Sequence, residues 1–375
     1  MEESSLNRRQ LIGGVFAAAG ATGLGAAQPA APDPAPAARS LPQPDVGGSQ
    51  PAPITDVRDK VAYITGGSSG IGLGIARALH DAGARVILGN LNDSQFAHAL
   101  KSFPERDPRV RTIVHDVLDR DGWERKADEI EKLFGPVHIL VNNAGVGRLP
   151  DVIAGTLKDW DWGMGVNFWG PLCGVRTFVP RMLSHRQGSH IVTTSSTDGV
   201  LFGTGNVYAV TKMAVSGLME ALRHQLRGTN IGTSNLCPGA TTTNIAQSPT
   251  YRPESFRNPE PATVPAPVAG APAAVPAPPQ PRPDSTPLWA RPQDPLTVGR
   301  LVVNGILNND MWIFPAPEYR AGVEARGQAM AESMVDFTPM PESIAAGRDR
   351  YYRTPIYLQE IAHRRATRRR NIPGI

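Results

Sequence analysis

Seven short apolar runs, separated by stretches with helical spacing, restrict what this chain can become more than any other feature it has. They are Val61 to Ile64, Arg85 to Leu88, Val110 to Val114, Val137 to Val141, His190 to Thr194, Ile231 to Leu236 and Met311 to Phe314. Strands that alternate with helices build a parallel sheet covered on both faces. Ile71, Ile75 and Leu79, four apart, give the first helix one apolar face. The expected fold class is therefore α/β, one doubly wound domain with a seven-stranded parallel sheet and helices on both faces.

At 375 residues and 41% hydrophobic, the chain has material for a sizeable core. Its formal charge of +4 is uneven, because residues 345–375 hold eight Arg against Asp349 and Glu360 and so contribute +6. The remainder sums to −2, and no stripe interleaves basic and aromatic residues, so nucleic acid is not expected as a partner. Only Cys173 and Cys237 are present, with no Cys/His cluster at metal-ligand spacing. Neither a disulfide framework nor a metal is expected.

The ends and the prolines set the boundaries. Asn7-Arg8-Arg9-Gln10-Leu11-Ile12 opens an apolar Gly/Ala-rich run to Ala27 that resembles a twin-arginine export signal, too short for the ~20 residues of a spanning helix. Residues 1–27 are expected to direct export to the periplasm, with a cytoplasmic location if they do not function. Eight prolines between Pro29 and Pro53 make residues 28–56 a linker, and fourteen of the 36 between Tyr251 and Pro295 make residues 251–290 a disordered insertion. The folded domain is then 57–345, followed by a basic, solvated tail over 346–375 that includes Arg364-Arg365 and Arg368 to Arg370.

Strand one ends in Thr65-Gly66-Gly67-Ser68-Ser69-Gly70-Ile71-Gly72 and runs into a helix. Glycines there let the backbone turn tightly and approach a pyrophosphate, while the helix start offers free N–H groups and a positive dipole end. Alone such a turn is as easily structural; the spacing Thr65-Gly-x-x-x-Gly-x-Gly72 together with Asn142-Asn143-Ala144-Gly145 after strand four makes it specific.

On these motifs, and on Tyr208-Ala-Val-Thr-Lys212, residues 57 to about 345 resemble the short-chain dehydrogenase/reductase family, which implies a Rossmann-type fold and NAD or NADP as cofactor. The resemblance implies that Thr65, Gly66, Ser68, Ser69, Gly70, Ile71 and Gly72 hold the cofactor. It implies that Asp116 and Val117 meet the adenine, that Asn143, Ala144 and Gly145 line the adenosine side, and that Pro238, Gly239, Thr241 and Thr243 frame the nicotinamide. The position that separates NAD from NADP is Asn90, which has no charge to repel a 2′-phosphate, yet no Arg or Lys stands at Ser69 or Leu91 to attract one. NAD is the expectation. A homo-oligomer, dimer or tetramer, is expected as well.

Tyr208 and Lys212, four apart, face one cleft from one side of a helix. Exchange between alcohol and ketone needs an acid/base, and a free phenol at about 10 is too weak a base near neutral pH. A neighbouring ammonium should lower it. The resemblance adds that Lys212 holds the nicotinamide ribose, that Asn167 in Gly165-Val-Asn-Phe-Trp169 kinks its helix and holds a water, and that a serine of strand five binds the substrate oxygen. Ser195 and Ser196 both qualify; the pattern matches Ser196.

Phe178 to Met182, Leu218 to Glu220, Thr243 to Ala246 and Trp312 to Tyr319 look like the subgroup that includes lignin aryl-ether Cα-dehydrogenases, which oxidise benzylic secondary alcohols. Leu201, Phe202, Tyr251 and Phe256 are expected to suit an apolar or aromatic small-molecule substrate. Trp160 and Trp162 read as helix-packing aromatics, and His80, His98, His138 and His224 as surface or packing residues. The rival reading is a catalytically silent cofactor-binding redox sensor or scaffold.

Overall fold

A computed structural model describes residues 50–203, 205–259, 292–335, 355–367 and 372, all within one compact unit, Asp45–Ile375. Residues 1–27, expected to direct export, most of the expected linker, the bulk of the Pro-rich insertion and Arg368 to Arg370 lie outside the described residues.

The sheet has seven parallel strands: β1 Val61–Thr65, β2 Arg85–Asn90, β3 Val110–Val114, β4 Ile139–Asn142, β5 Ser189–Thr194, β6 Ile231–Leu236 and β7 Trp312–Ile313. Their spatial order is β3-β2-β1-β4-β5-β6-β7. β1, β4, β5 and β6 are buried along their whole length, as strands covered on both faces must be. Helices α1 Gly70–Asp81 and α7 Pro295–Asn308 pack on one face around Ile64, Ile75, Leu79, Val298 and Val302. The other face carries α3 Trp123–Phe134, α5 Gly170–His185 and α6 Val207–Gln225 around Tyr63, Trp123, Ile130, Phe178 and Met219. Two more helices, α2 Phe96–Leu100 and α4 Leu157–Met164, complete the body as far as β7, and α8 Arg320–Glu332 follows it. Strand order reverses between β1 and β4, which opens a crevice at their C-terminal ends. The glycine turn stands on one side of it and Asn143 to Gly145 on the other.

α1 and α7 cross in backbone contact. A Cβ on Gly74 would stand 2.0 Å from the Pro295 carbonyl oxygen, and one on Gly299 2.2 Å from that of Gly74. Neither carbonyl can swing away without breaking its helix. Gly74→Ala is expected to destabilise the fold by ~1–3 kcal/mol through overpacking, seen as a lower denaturation midpoint with the slope unchanged.

The π-turn Gly165–Trp169 joins α4 to α5. Pro171 has no N–H for the carbonyl four residues back, at Asn167, and the wider register appears as Gly170 N–H bonded to the Gly165 carbonyl.

Three boundaries differ from the expectation. The linker ends earlier, because Gln50 donates to the Thr229 carbonyl at 2.9 Å and Ile54 is buried. Residues 251–259 are packed, not part of a disordered stretch: Arg252 and Asn258 both bond Asp159 of α4. The tail is also partly built. Pro355–Thr367 forms a helix, α9, whose Arg364 pairs with Asp310 and Glu360, while Glu360 accepts the Met311 N–H. An arginine that reads as solvated is therefore the partner of a buried aspartate. Among the described residues no helix is long and apolar enough to cross a membrane, and no cluster offers a metal site.

Candidate active site

A cavity of about 960 Å³ runs along the crevice from Asn90 and Asp116 at one end to Tyr251 and Tyr319 at the other. Ser68, Ser69, Gly70, Ile71 and Gly66 line its middle with Asn143, Ala144 and Gly145 opposite. Gly66 and Gly70 have φ of 63° and 50°, the left-handed region that glycine enters freely. Ser69 precedes α1 without a side-chain cap, so the first N–H groups of that helix stay open for an anion. At the far end, the buried atoms His115 Nε2 and Gln95 Oε1 have no partner among the described residues, and both side chains line the cavity. A bare-backbone cradle beside an uncapped helix start, leading to unmatched polar atoms, fits a dinucleotide.

Thr65, Gly72 and Asn167 are not on the cavity wall; they hold the backbone that is. Thr65 Oγ1 accepts the N–H groups of Asn143 and Ala144 at 2.9 and 3.0 Å, and Gly72 abuts the Gly66 backbone. Asn167 is fully buried, with Oδ1 accepting from Val146 N at 2.8 Å and Nδ2 donating to the Val146 carbonyl and Thr211 Oγ1. Its amide has no donor left for a ligand. The π-turn aims it at the end of β4, where it fastens that strand to α6. The other expected residues, Asn90, Asp116, Val117, Pro238, Gly239, Thr241 and Thr243 included, all line the cavity.

At the chemical end, Asn206 caps α6 through the Ala209 N–H, so Tyr208 and Lys212 project together from its first turns. Lys212 is buried and donates to the Thr194 carbonyl at 2.8 Å, with Nζ 5.7 Å from the Tyr208 ring centre. The two serines separate clearly. Ser195 Oγ is spent beneath α6 on the Lys212 carbonyl at 2.8 Å and on Ser216, whereas Ser196 hydrogen-bonds Tyr208. Ser196 Oγ also accepts the Asp198 N–H at 3.1 Å, so its own proton is available to Tyr208 or to a substrate oxygen.

The electrostatics differ from the sequence expectation. Burial pushes the Tyr208 phenol up to about 12, against the hydrogen bond from Ser196, and the Asp198 charge adds to the rise. Lys212 does not offset this, because burial pulls its own ammonium down to about 8. Taking the phenolate out of water outweighs the one cation beside it.

The substrate wall was largely missed. Of the four apolar residues expected there, only Tyr251 lines the cavity. Leu201 abuts Gly322 of α8, Phe256 packs on the core and Phe202 points to solvent. The wall is made instead by Trp162, Ile245, Tyr319, Arg148 and Asp198. Trp162 is both a core aromatic and a wall, and Asp198 lies inside the serine motif without a spacing that marks it.

A family model described as short chain dehydrogenase matches residues 60–252. The chain belongs to the short-chain dehydrogenase family. It is therefore an oxidoreductase acting on CH–OH donors. The C alpha-dehydrogenase of Sphingobium sp. strain SYK-6 is 31% identical over 307 residues, 79% of this chain and 96% of that one. A short-chain dehydrogenase/reductase from Burkholderia phymatum, solved with NAD, has a TM-score of 0.63 at 29% identity and covers 77% of this chain and 100% of its own. The apo form of LigD from Sphingobium sp. strain SYK-6 has a TM-score of 0.58 at 29% identity, covering 75% and 100%.

Proposed function

We propose that this dehydrogenase interconverts a secondary alcohol and a ketone, with Tyr208 as the acid/base. The observation that carries the reading is the convergence of Tyr208, Ser196 and Lys212 on one wall of a cavity that continues to the glycine turn. The cofactor is NAD or NADP. When bound, the cofactor would supply hydride exchange with the carbinol carbon and, in its oxidised form, a positive charge. In oxidation the Tyr208 oxygen accepts the hydroxyl proton as the O–H bond breaks and the C=O bond forms; in reduction it gives the proton back. With its oxygen accepting the Asp198 N–H, Ser196 turns its proton from Tyr208 to the substrate oxygen and orients it. The Lys212 ammonium lines the same wall and would hold the nicotinamide ribose. Trp162, Tyr251 and Tyr319, with the likeness to the Sphingobium C alpha-dehydrogenase, support an aromatic alcohol.

Asn90 donates to Ser68 and accepts from Leu91 N at 2.9 Å, so its amide is engaged. Among the described residues, no Lys or Arg lines that end of the cavity, which supports NAD. Asn90→Asp puts a carboxylate where a 2′-phosphate would lie and is expected to lower kcat/KM for NADP relative to NAD by at least about tenfold. An unchanged ratio would place the ribose elsewhere.

The test of the reaction is steady-state absorbance of the reduced nicotinamide, with NAD and NADP in turn and a panel of aryl and aliphatic secondary alcohols. Turnover on aryl alcohols supports the reading. Cofactor binding without turnover across the panel would favour a redox sensor.

A further inference from the structure

Asp198 is the carboxylate that the reaction as derived leaves unused. It sits on the short turn Thr197–Gly199, two residues past Ser196, and its side chain lines the cavity. It is half-buried, and no Lys, Arg or His pairs with it among the described residues. Its side chain takes the Gly203 N–H, and its Oδ1 lies 3.3 Å from where a Cβ on Gly203 would stand. Among the described residues no side chain donates to this carboxylate. The turn does not need the carboxylate as its cap, because Ser196 fills that role through the Asp198 N–H. Burial holds the Asp198 carboxyl above the usual range, and its charge raises Tyr208, so the two groups share one pocket.

A carboxylate that lines a cavity with a free acceptor oxygen is costly to cover with hydrocarbon. A ligand that donates a hydrogen bond there relieves that cost. Asp198 lines the same cavity as Ser196 and Tyr208 and its charge acts on the phenol, so its acceptor and the reacting oxygen share one end of the site. Of the donors an alcohol can carry, a hydroxyl on the carbon next to the carbinol lies nearest the reacting oxygen. We propose that Asp198 is a specificity-determining residue of this cavity, and that the alcohol it selects carries a second hydroxyl beside the carbinol. This rests on the alcohol-dehydrogenase reading above and narrows its substrate class to vicinal diols and the matching hydroxyketones.

The test compares 1-phenylethanol with 1-phenylethane-1,2-diol on the full chain with NAD, as kcat and KM separately. The wild type is expected to favour the diol by at least about tenfold in kcat/KM, a modest size for a site built to bond a hydroxyl. Asp198→Ala should bring the ratio near one, chiefly by raising KM for the diol. Asp198→Asn is isosteric, keeps the turn, and should lower the ratio by at least about threefold, since it exchanges a charged acceptor for a neutral one. A ratio that both variants leave as in the wild type, or a wild type that prefers the simple alcohol, overturns the proposal while the dehydrogenase stands. Bound NAD with neither alcohol oxidised overturns both.

Discussion

Tyr208→Phe is expected to lower kcat by ~10²–10⁴ fold and leave the Kd for NAD within about twofold, because general acid/base catalysis contributes on that scale and phenylalanine keeps the ring. Tyr208 projects from the first turn of α6, where Asn206 caps the helix, so losing one hydroxyl should not disturb the backbone. The same residue sets the pH profile. Oxidation needs the phenolate, and burial holds the phenol up to about 12 in the protein alone, so kcat/KM for the alcohol should climb with pH from about 7 to about 10. Reduction needs the protonated phenol, so kcat/KM for the ketone should stay level over that range. Once the oxidised nicotinamide is bound, its positive charge favours phenolate, and the break in kcat should fall at lower pH than the break in kcat/KM. A phenylalanine variant that still turns over at a tenth of the wild-type rate would remove Tyr208 from the chemistry.

The second large effect concerns stability. Asp159→Ala is expected to cost ~3–5 kcal/mol, the scale for removing one partner of a buried ion pair. Arg252 Nη1 lies 2.6 Å from Asp159, with the two side chains 13% and 5% exposed, and its guanidinium stands 5.1 Å over the Trp162 ring. Arg252 Nε and Nη2 have no partner among the described residues, so the aspartate is its main compensation. Burial by itself would raise the Asp159 carboxyl, but hydrogen bonds from Thr156, Arg252 and Asn258 win and hold it below its ordinary value. A lowered folded-state value stabilises the protein above the unfolded carboxylate range of about 4, and that share is lost as the pH falls through the folded value. The gap between wild type and Asp159→Ala should therefore be widest near neutral pH and narrow below about pH 4. Thermal unfolding at several pH values reads it directly, and equal midpoints at neutral pH would mean that the 251–259 segment is not tied to α4. Because Trp162, Tyr251 and Pro253 line the substrate end, the variant should also raise KM for aryl alcohols.

Much of the fold is legible along the chain because its signals are local. A parallel strand buried on both faces reads as a near-continuous apolar run, and Val61 to Ile64 and Ile139 to Val141 could be read as strands for that reason. Helical spacing likewise put Tyr208 and Lys212 on one face before any contact was known. The serine pair was harder. Ser195 and Ser196 are adjacent and chemically identical, and only the position of α6 beneath Ser195 shows that its hydroxyl is already spent.

The doubly wound sheet, the glycine turn at its crevice and the tyrosine-lysine pair are written along the chain, since the signal for each lies in residues a few positions apart. Tertiary structure alone decided the substrate wall, the anchoring of 251–259 and the docking of α9, because Asp159 meets Arg252, Asp310 meets Arg364, and Trp162 shares a wall with Tyr319 only after distant segments are packed together. It also decided the sign at Tyr208. Whether a neighbouring ammonium lowers a phenol depends on how much water both have lost, and here burial moves the two groups against the exchange that spacing alone suggests.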